Sequence, residues 1–123
     1  MPEGTPMMQM GWEIYPDALE HSVRRAAGRA GVPVVVTEHG MATADDGARI
    51  RYTDAGLRGL LRCLDDGIDV RGYIHWTLLD NFEWMAGYEP TFGLIAVDRT
   101  DFTRTAKPSL QWLGDVARAG RLP

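Results

Sequence analysis

The chain has 123 residues, of which 45% are apolar and 24% charged, enough for one domain with a modest core and too apolar for disorder. A net charge of −4 offers no basic stripe for nucleic acid or an anionic membrane. No apolar run reaches the roughly 20 residues that span a bilayer.

The first residues, Met1 to Gly11, carry four Met and two Pro without a period, so residues 1–10 are expected to be a tail or connecting loop. Met1 to Pro6 lacks the basic start and apolar centre of a signal peptide, and the expectation is a cytoplasmic protein. Pro16 or Asp17 suits the first turn of a helix, with Leu19, Val23, Ala26, Ala27 and Ala30 as its apolar stripe and Gly31 as its stop. Val32–Thr37 then reads as a buried parallel strand, rich in β-branched residues. Glu38 stands at the end of that strand, where α/β enzymes keep reactive groups, although it could equally start a loop. Gly40 would permit a sharp turn just beyond it.

Residues 42–47 are small and polar and read as a loop. Thr53 or Asp54 is placed to cap a second helix that runs to about Asp66, stopped by Gly67. Cys63 falls on its apolar stripe beside Leu60 and Leu64, which suits a packed thiol. With one cysteine there is no intrachain disulfide and no cysteine-based zinc site, and His21, His39 and His75 have no ligand-like spacing. Neither a metal nor a cofactor is expected.

A second strand is expected over Val70–Thr77, then a long loop from Trp76 to Phe92 at the same end as Glu38. A short extra strand fits Gly93–Asp98, and Lys107-Pro108-Ser109 opens a last helix with Leu110, Leu113, Val116 and Ala117 as its stripe. Helix, strand, helix, strand, helix is the order of βα units in a parallel sheet. Two strands alone cannot cover both of their faces, so the pattern is that of part of a larger α/β architecture.

The segment Val36-Thr37-Glu38-His39-Gly40 resembles the I/V-T-E-N-G nucleophile motif of glycoside hydrolase family 1. Trp76-Thr77-Leu78-Leu79-Asp80-Asn81-Phe82-Glu83-Trp84 is similar to that family's W-S-L-L-D-N-F-E-W sugar-binding motif. Gly11 to Pro16, Gly87-Tyr88, Phe92-Gly93-Leu94 and Asp98 to Ser109 follow in family order, so the likeness covers residues 11–123. The resemblance implies the C-terminal portion, about the last two βα units, of a (β/α)8 TIM barrel. It implies a retaining β-glucosidase type of chemistry, with Glu38 as nucleophile and Trp76, Glu83, Trp84 and Phe92 as sugar-binding residues. Spacing alone would pair Glu38 with Glu83 as the two carboxyl groups of a retaining glycosidase. The resemblance instead makes Glu83 a ligand of the glycone 4- and 6-hydroxyls; Asp80 and Asn81, by their side-chain chemistry, are expected to brace the loop through backbone hydrogen bonds.

The family's T-x-N-E-P motif, which carries the general acid/base Glu, has no counterpart in these residues. His39 stands where the family usually has Asn, Thr91 where many members have Arg, and Gly56 where a helix His is common. The expectation is therefore β-glycoside hydrolysis by a completed barrel, with this chain inactive alone. Its alternatives are a non-catalytic remnant that binds sugar weakly or a subunit of a split glycosidase. The implied partners are a β-glucoside and an N-terminal barrel fragment, with self-association when that fragment is missing, and neither nucleic acid nor membrane.

Overall fold

A computed structural model describes residues 4–123. Of the expected tail or connecting loop over 1–10, the first three residues lie outside the described ones. Helix α1 spans Ala18–Ala30 and buries Leu19 and Val23, one turn apart on the same face. It stops at Gly31, which takes the left-handed conformation and returns its N–H to the Ala27 carbonyl.

Strand β1 spans Val34–His39, two residues later than the expected Val32–Thr37. Pro33 has no N–H for a ladder, and pairing begins with Val34 N–H on the Asp69 carbonyl at 2.8 Å. The strand continues through Glu38 and His39 because His39 still pairs with His75 on β2, Val70–His75. The ladder's last bond runs from Trp76 N–H to the His39 carbonyl at 3.0 Å. Past it the chain leaves the sheet, and β2 ends two residues before the expected Thr77.

Helix α2 spans Asp46–Asp65 and so begins seven residues before the expected caps Thr53 and Asp54. Its cap is Asp45, whose carboxylate accepts the Ala48 N–H at 3.0 Å, while Thr43 Oγ1 accepts the Asp45 N–H. The residues read as a loop are thus a capping sequence. Arg49, Thr53, Gly56, Leu60 and Cys63 then face inward at helical spacing.

The parallel pair β1–β2 carries helices on one face. Leu19, Val23, Val36, Leu60 and Cys63 form the core there, with Val34, Leu57, Ile68, Val70 and Tyr73 packed around them. Cys63 is fully buried, as expected of a packed thiol. The opposite face is open: Val35 is 51% and Ile74 55% exposed. Alternation along a strand makes this inevitable once Val36 and Tyr73 are turned toward the helices.

Strand β3, Ile95–Val97, is the expected short strand, and it pairs antiparallel with an unforeseen β4, Arg104–Ala106. Three exposed residues bounded by turns carry too little pattern for β4 to be read in advance. Helix α3 spans Pro108–Ala119, with Pro in its first turn and Leu110, Leu113 and Val116 half-buried; Ala117, assigned to the same stripe, is exposed. Residues 4–15 fold back over the carboxyl end of β1 through a Met7–Glu13 bridge and a bond from Gln9 N–H to the Ala42 carbonyl. That brings Met8 into a second core cluster with Met41 and Tyr52. Among the described residues no helix is long and apolar enough to cross a membrane.

Candidate active site

At the carboxyl end of β1 an open cleft of about 600 Å³ is lined by Glu38, Trp76, Glu83, Trp84 and Phe92. The five residues singled out from the sequence therefore meet at one place, although they span 55 positions of chain. Met8, Trp12, His39, Gly40 and Tyr52 complete the lining. None of these was foreseen as a site residue: Met8 lies in the expected tail or connecting loop, Gly40 reads from the sequence only as a turn and His39 only as a departure from the family's usual Asn, and Trp12 and Tyr52 carried no role.

Glu38 projects from the penultimate position of β1 and is exposed on the open side of the sheet. Its neighbour His39 points the other way and is buried. Gly40 stands where β1 ends, and its φ is not positive. A side chain there would place its Cβ 1.7 Å from the Trp76 carbonyl oxygen, so glycine allows two backbones to touch where the strands end.

Trp76 is half-buried and its indole N–H donates to Glu83 Oε1 at 3.2 Å. Glu83 opens a tight turn: its N–H bonds the Gly87 carbonyl at 2.7 Å and its own carbonyl accepts from Ala86. Trp84 sits at the head of this turn with φ of 44° and is 84% exposed. Its ring is offered to the cleft instead of being packed.

Phe92 is buried, with Thr91 before it and Gly93 after it both held firmly. Thr91 receives Arg49 on its carbonyl at 2.6 Å and gives its own N–H to Gln9 Oε1. Gly93 N–H donates to Asp80 Oδ1 at 2.7 Å, and Lys107 Nζ reaches both Asp80 and the Gly93 carbonyl. Asp80 is thus the loop brace expected of it. Asn81 differs, since its Oδ1 is buried without a hydrogen-bond partner.

Burial pushes the imidazoles of His39 and His75 down to about 4, so both are neutral near pH 7. His75 has both ring nitrogens buried without a partner, in keeping with a packing role. Burial alone would raise the Asp46 carboxyl. The Ser109 hydroxyl and amide, with Arg49, nevertheless bring it below the ordinary value. Glu38 and Glu83 are the two acids that line the cleft. Among the described residues no three His, Cys, Asp or Glu gather as metal ligands would.

What the cleft can do chemically is bounded by these groups. An exposed carboxylate can attack an electrophilic carbon, aromatic rings can stack on the apolar face of a sugar, and a restrained second carboxylate can accept hydroxyl hydrogen bonds.

Residues 2–121 match the sequence profile of Glycosyl hydrolase family 1. A bifunctional beta-D-glucosidase/beta-D-fucosidase of Bifidobacterium breve is 42% identical over 126 residues, which cover 91% of this chain and 27% of that protein. A beta-galactosidase of Sulfolobus acidocaldarius is 35% identical, over 96% of this chain and 24% of that one. Among solved structures, beta-glycosidase BGL167 superposes with a TM-score of 0.94 at 55% identity, covering 100% of this chain and 30% of that one. The beta-glucosidase of Thermotoga maritima in complex with glucoimidazole superposes with a TM-score of 0.93 at 32% identity, covering 99% and 30%. The chain thus spans between a quarter and a third of the length of the proteins it matches.

Proposed function

From the premise that this chain belongs to glycosyl hydrolase family 1, with a fold that is part of a (β/α)8 barrel, we propose that it supplies the nucleophile side of a retaining β-glycosidase site. Glu38 attacks the anomeric carbon of a β-glucoside and forms a glycosyl ester, while the leaving oxygen takes a proton from an acid outside these residues. Water then attacks the ester and releases the sugar with retention. Trp76 and Phe92 form the apolar platform and wall, Glu83 accepts from sugar hydroxyls, and Trp84 donates its indole N–H. The observation that carries this reading is the meeting of all five residues in one cleft at the carboxyl end of parallel strands.

Because no second carboxyl group among the described residues takes the acid's role, the isolated chain is inactive. General acid assistance is worth about 10²- to 10⁴-fold, and loss of positioning by the rest of a barrel adds to the deficit. The open face of the sheet, with Val35 and Ile74 exposed, favours a partner that supplies the remaining strands. In this reading the chain works within a completed barrel, as part of a longer protein or as one subunit of a split glycosidase.

The test is a chimera in which residues 4–123 replace the matching segment of beta-glycosidase BGL167. Hydrolysis of an aryl β-glucoside that Glu38→Gln abolishes supports the reading. A well-folded, active chimera whose turnover survives Glu38→Gln would overturn it. Cellobiose turnover by the pure chain alone would overturn the claim of inactivity.

A further inference from the structure

We propose that His39 is the positioning residue of Glu38, and that Gly56 on α2 is the seat that fixes it; this rests on reading Glu38 as the nucleophile. His39 follows Glu38 directly on β1 and is held from both neighbouring layers. Its ring stacks on Tyr52 of α2 with centroids 4.9 Å apart and planes 13° from parallel. Its Nδ1 is bonded to the Tyr73 hydroxyl of β2 at 2.9 Å, and its carbonyl accepts the Trp76 N–H.

The fourth side is the informative one. A Cβ on Gly56 would lie 2.5 Å from His39 Cε1 and 2.9 Å from Nε2, closer than real Cβ atoms come. Nε2 is buried without a hydrogen-bond partner. No polar attraction holds this edge of the ring, so the shape of the bare helix backbone does. Gly56 lies within α2, where glycine weakens a helix, and the imidazole fills the space that a side chain would take.

The consequence for Glu38 follows from strand geometry. The ladder is irregular between Val36 and His39, which lets these two residues, three apart, both be buried; His39 locked against α2 fixes that irregular stretch and leaves the preceding carboxylate exposed in the cleft. The same residue fixes the backbone of Trp76 through its carbonyl, which ties the nucleophile to the sugar platform. The charged and titratable groups around the ring are Tyr52 on α2 with Tyr73 and His75 on β2; none is a carboxylate that would draw a proton onto it. His39 therefore stays neutral.

Two measurements test this. In the full chain, Gly56→Ala should lower the melting temperature when His39 is present and raise it in a His39→Asn background. The same sign in both backgrounds would overturn the seat. In the BGL167 chimera, His39→Ala should lower kcat by about 10- to 100-fold with KM little changed, and His39→Asn, the residue the family usually carries there, should recover part of it. An unchanged kcat in His39→Ala would overturn the positioning role. Glu38→Gln serves as the separate control, because retained turnover there refutes the nucleophile reading and not the packing.

Discussion

Arg49 donates from one nitrogen to the carbonyl oxygens of both Thr43 and Thr91 at 2.6 Å, joining two loops that lie 48 residues apart. Its other nitrogen meets Asp46, whose carboxylate receives the amide and hydroxyl of Ser109 at the start of α3. A guanidinium that is 1% exposed thus fastens the loop after β1, the loop before Phe92 and the last helix to one point.

Removing one member of a buried charged network leaves the others desolvated and unpaired. Arg49→Met is expected to destabilise the fold by about 3–5 kcal/mol, since Asp46 loses its buried cationic partner and the Thr43 and Thr91 carbonyls each lose one of their donors. Urea denaturation of the chain or of the chimera measures it. A loss below about 1 kcal/mol, the scale of an exposed ion pair, would show that water replaces the guanidinium.

Acid should weaken the fold in a defined window. His39 and His75 have folded pKa values near 4 against an ordinary 6.5, so the unfolded chain takes up protons first as pH falls. Their contribution is complete above about pH 6.5 and is lost progressively down to about pH 4, on the order of a few kcal/mol. Besides burial, His75 acts on His39, while the Phe92 backbone, Arg49 and Asp46 act on His75. Denaturation midpoints at intervals from pH 7 to 4 should decline, and His75→Gln should flatten the slope. A level profile would refute the burial argument.

Two glycines should respond in opposite ways to the same substitution. Gly40→Ala drives a Cβ into the Trp76 carbonyl, and neither backbone can retreat without losing the Trp76–His39 bond. It should cost more than about 3 kcal/mol, beyond ordinary overpacking. Gly28→Ala in α1 meets nothing within 4 Å and should stabilise by about 0.5–1 kcal/mol through helix propensity. Thermal melts of the two variants compare them directly, and a harmless Gly40→Ala would contradict the close approach.

Trp76→Phe keeps an aromatic platform but removes the donor at 3.2 Å from Glu83. In the chimera the released carboxylate should raise KM roughly tenfold, the scale of one hydrogen bond to a charged group. Unaltered kinetics would mean that the turn closed by Gly87 holds Glu83 unaided.

The chain without its barrel is expected to self-associate, because Val35 and Ile74 are both exposed on a sheet face that no described element covers. Light scattering should show particles above monomer mass, and the double substitution Val35→Thr, Ile74→Thr should reduce them. A sharp melt from a monomer would show that two strands and three helices bury enough.

The sequence by itself determined the order of the three α-helices and of β1, β2 and β3, because apolar spacing, Gly31 and Pro108 act on their immediate neighbours. It also named Glu38, Trp76, Glu83, Trp84 and Phe92, since their motifs are contiguous. Tertiary structure decided the rest. Arg49 reads as one more charged helix residue until its acceptors at Thr43 and Thr91 are brought to it. Gly56 reads as a weak point of a helix until His39, 17 positions earlier, is seen to occupy its space. Gly40 looks like a turn until Trp76 arrives beside it. The physical reason is the same in each case. Periodicity and capping are interactions between near neighbours, whereas the burial of a charge, or the shape of a gap, depends on groups that only the folded chain brings into contact.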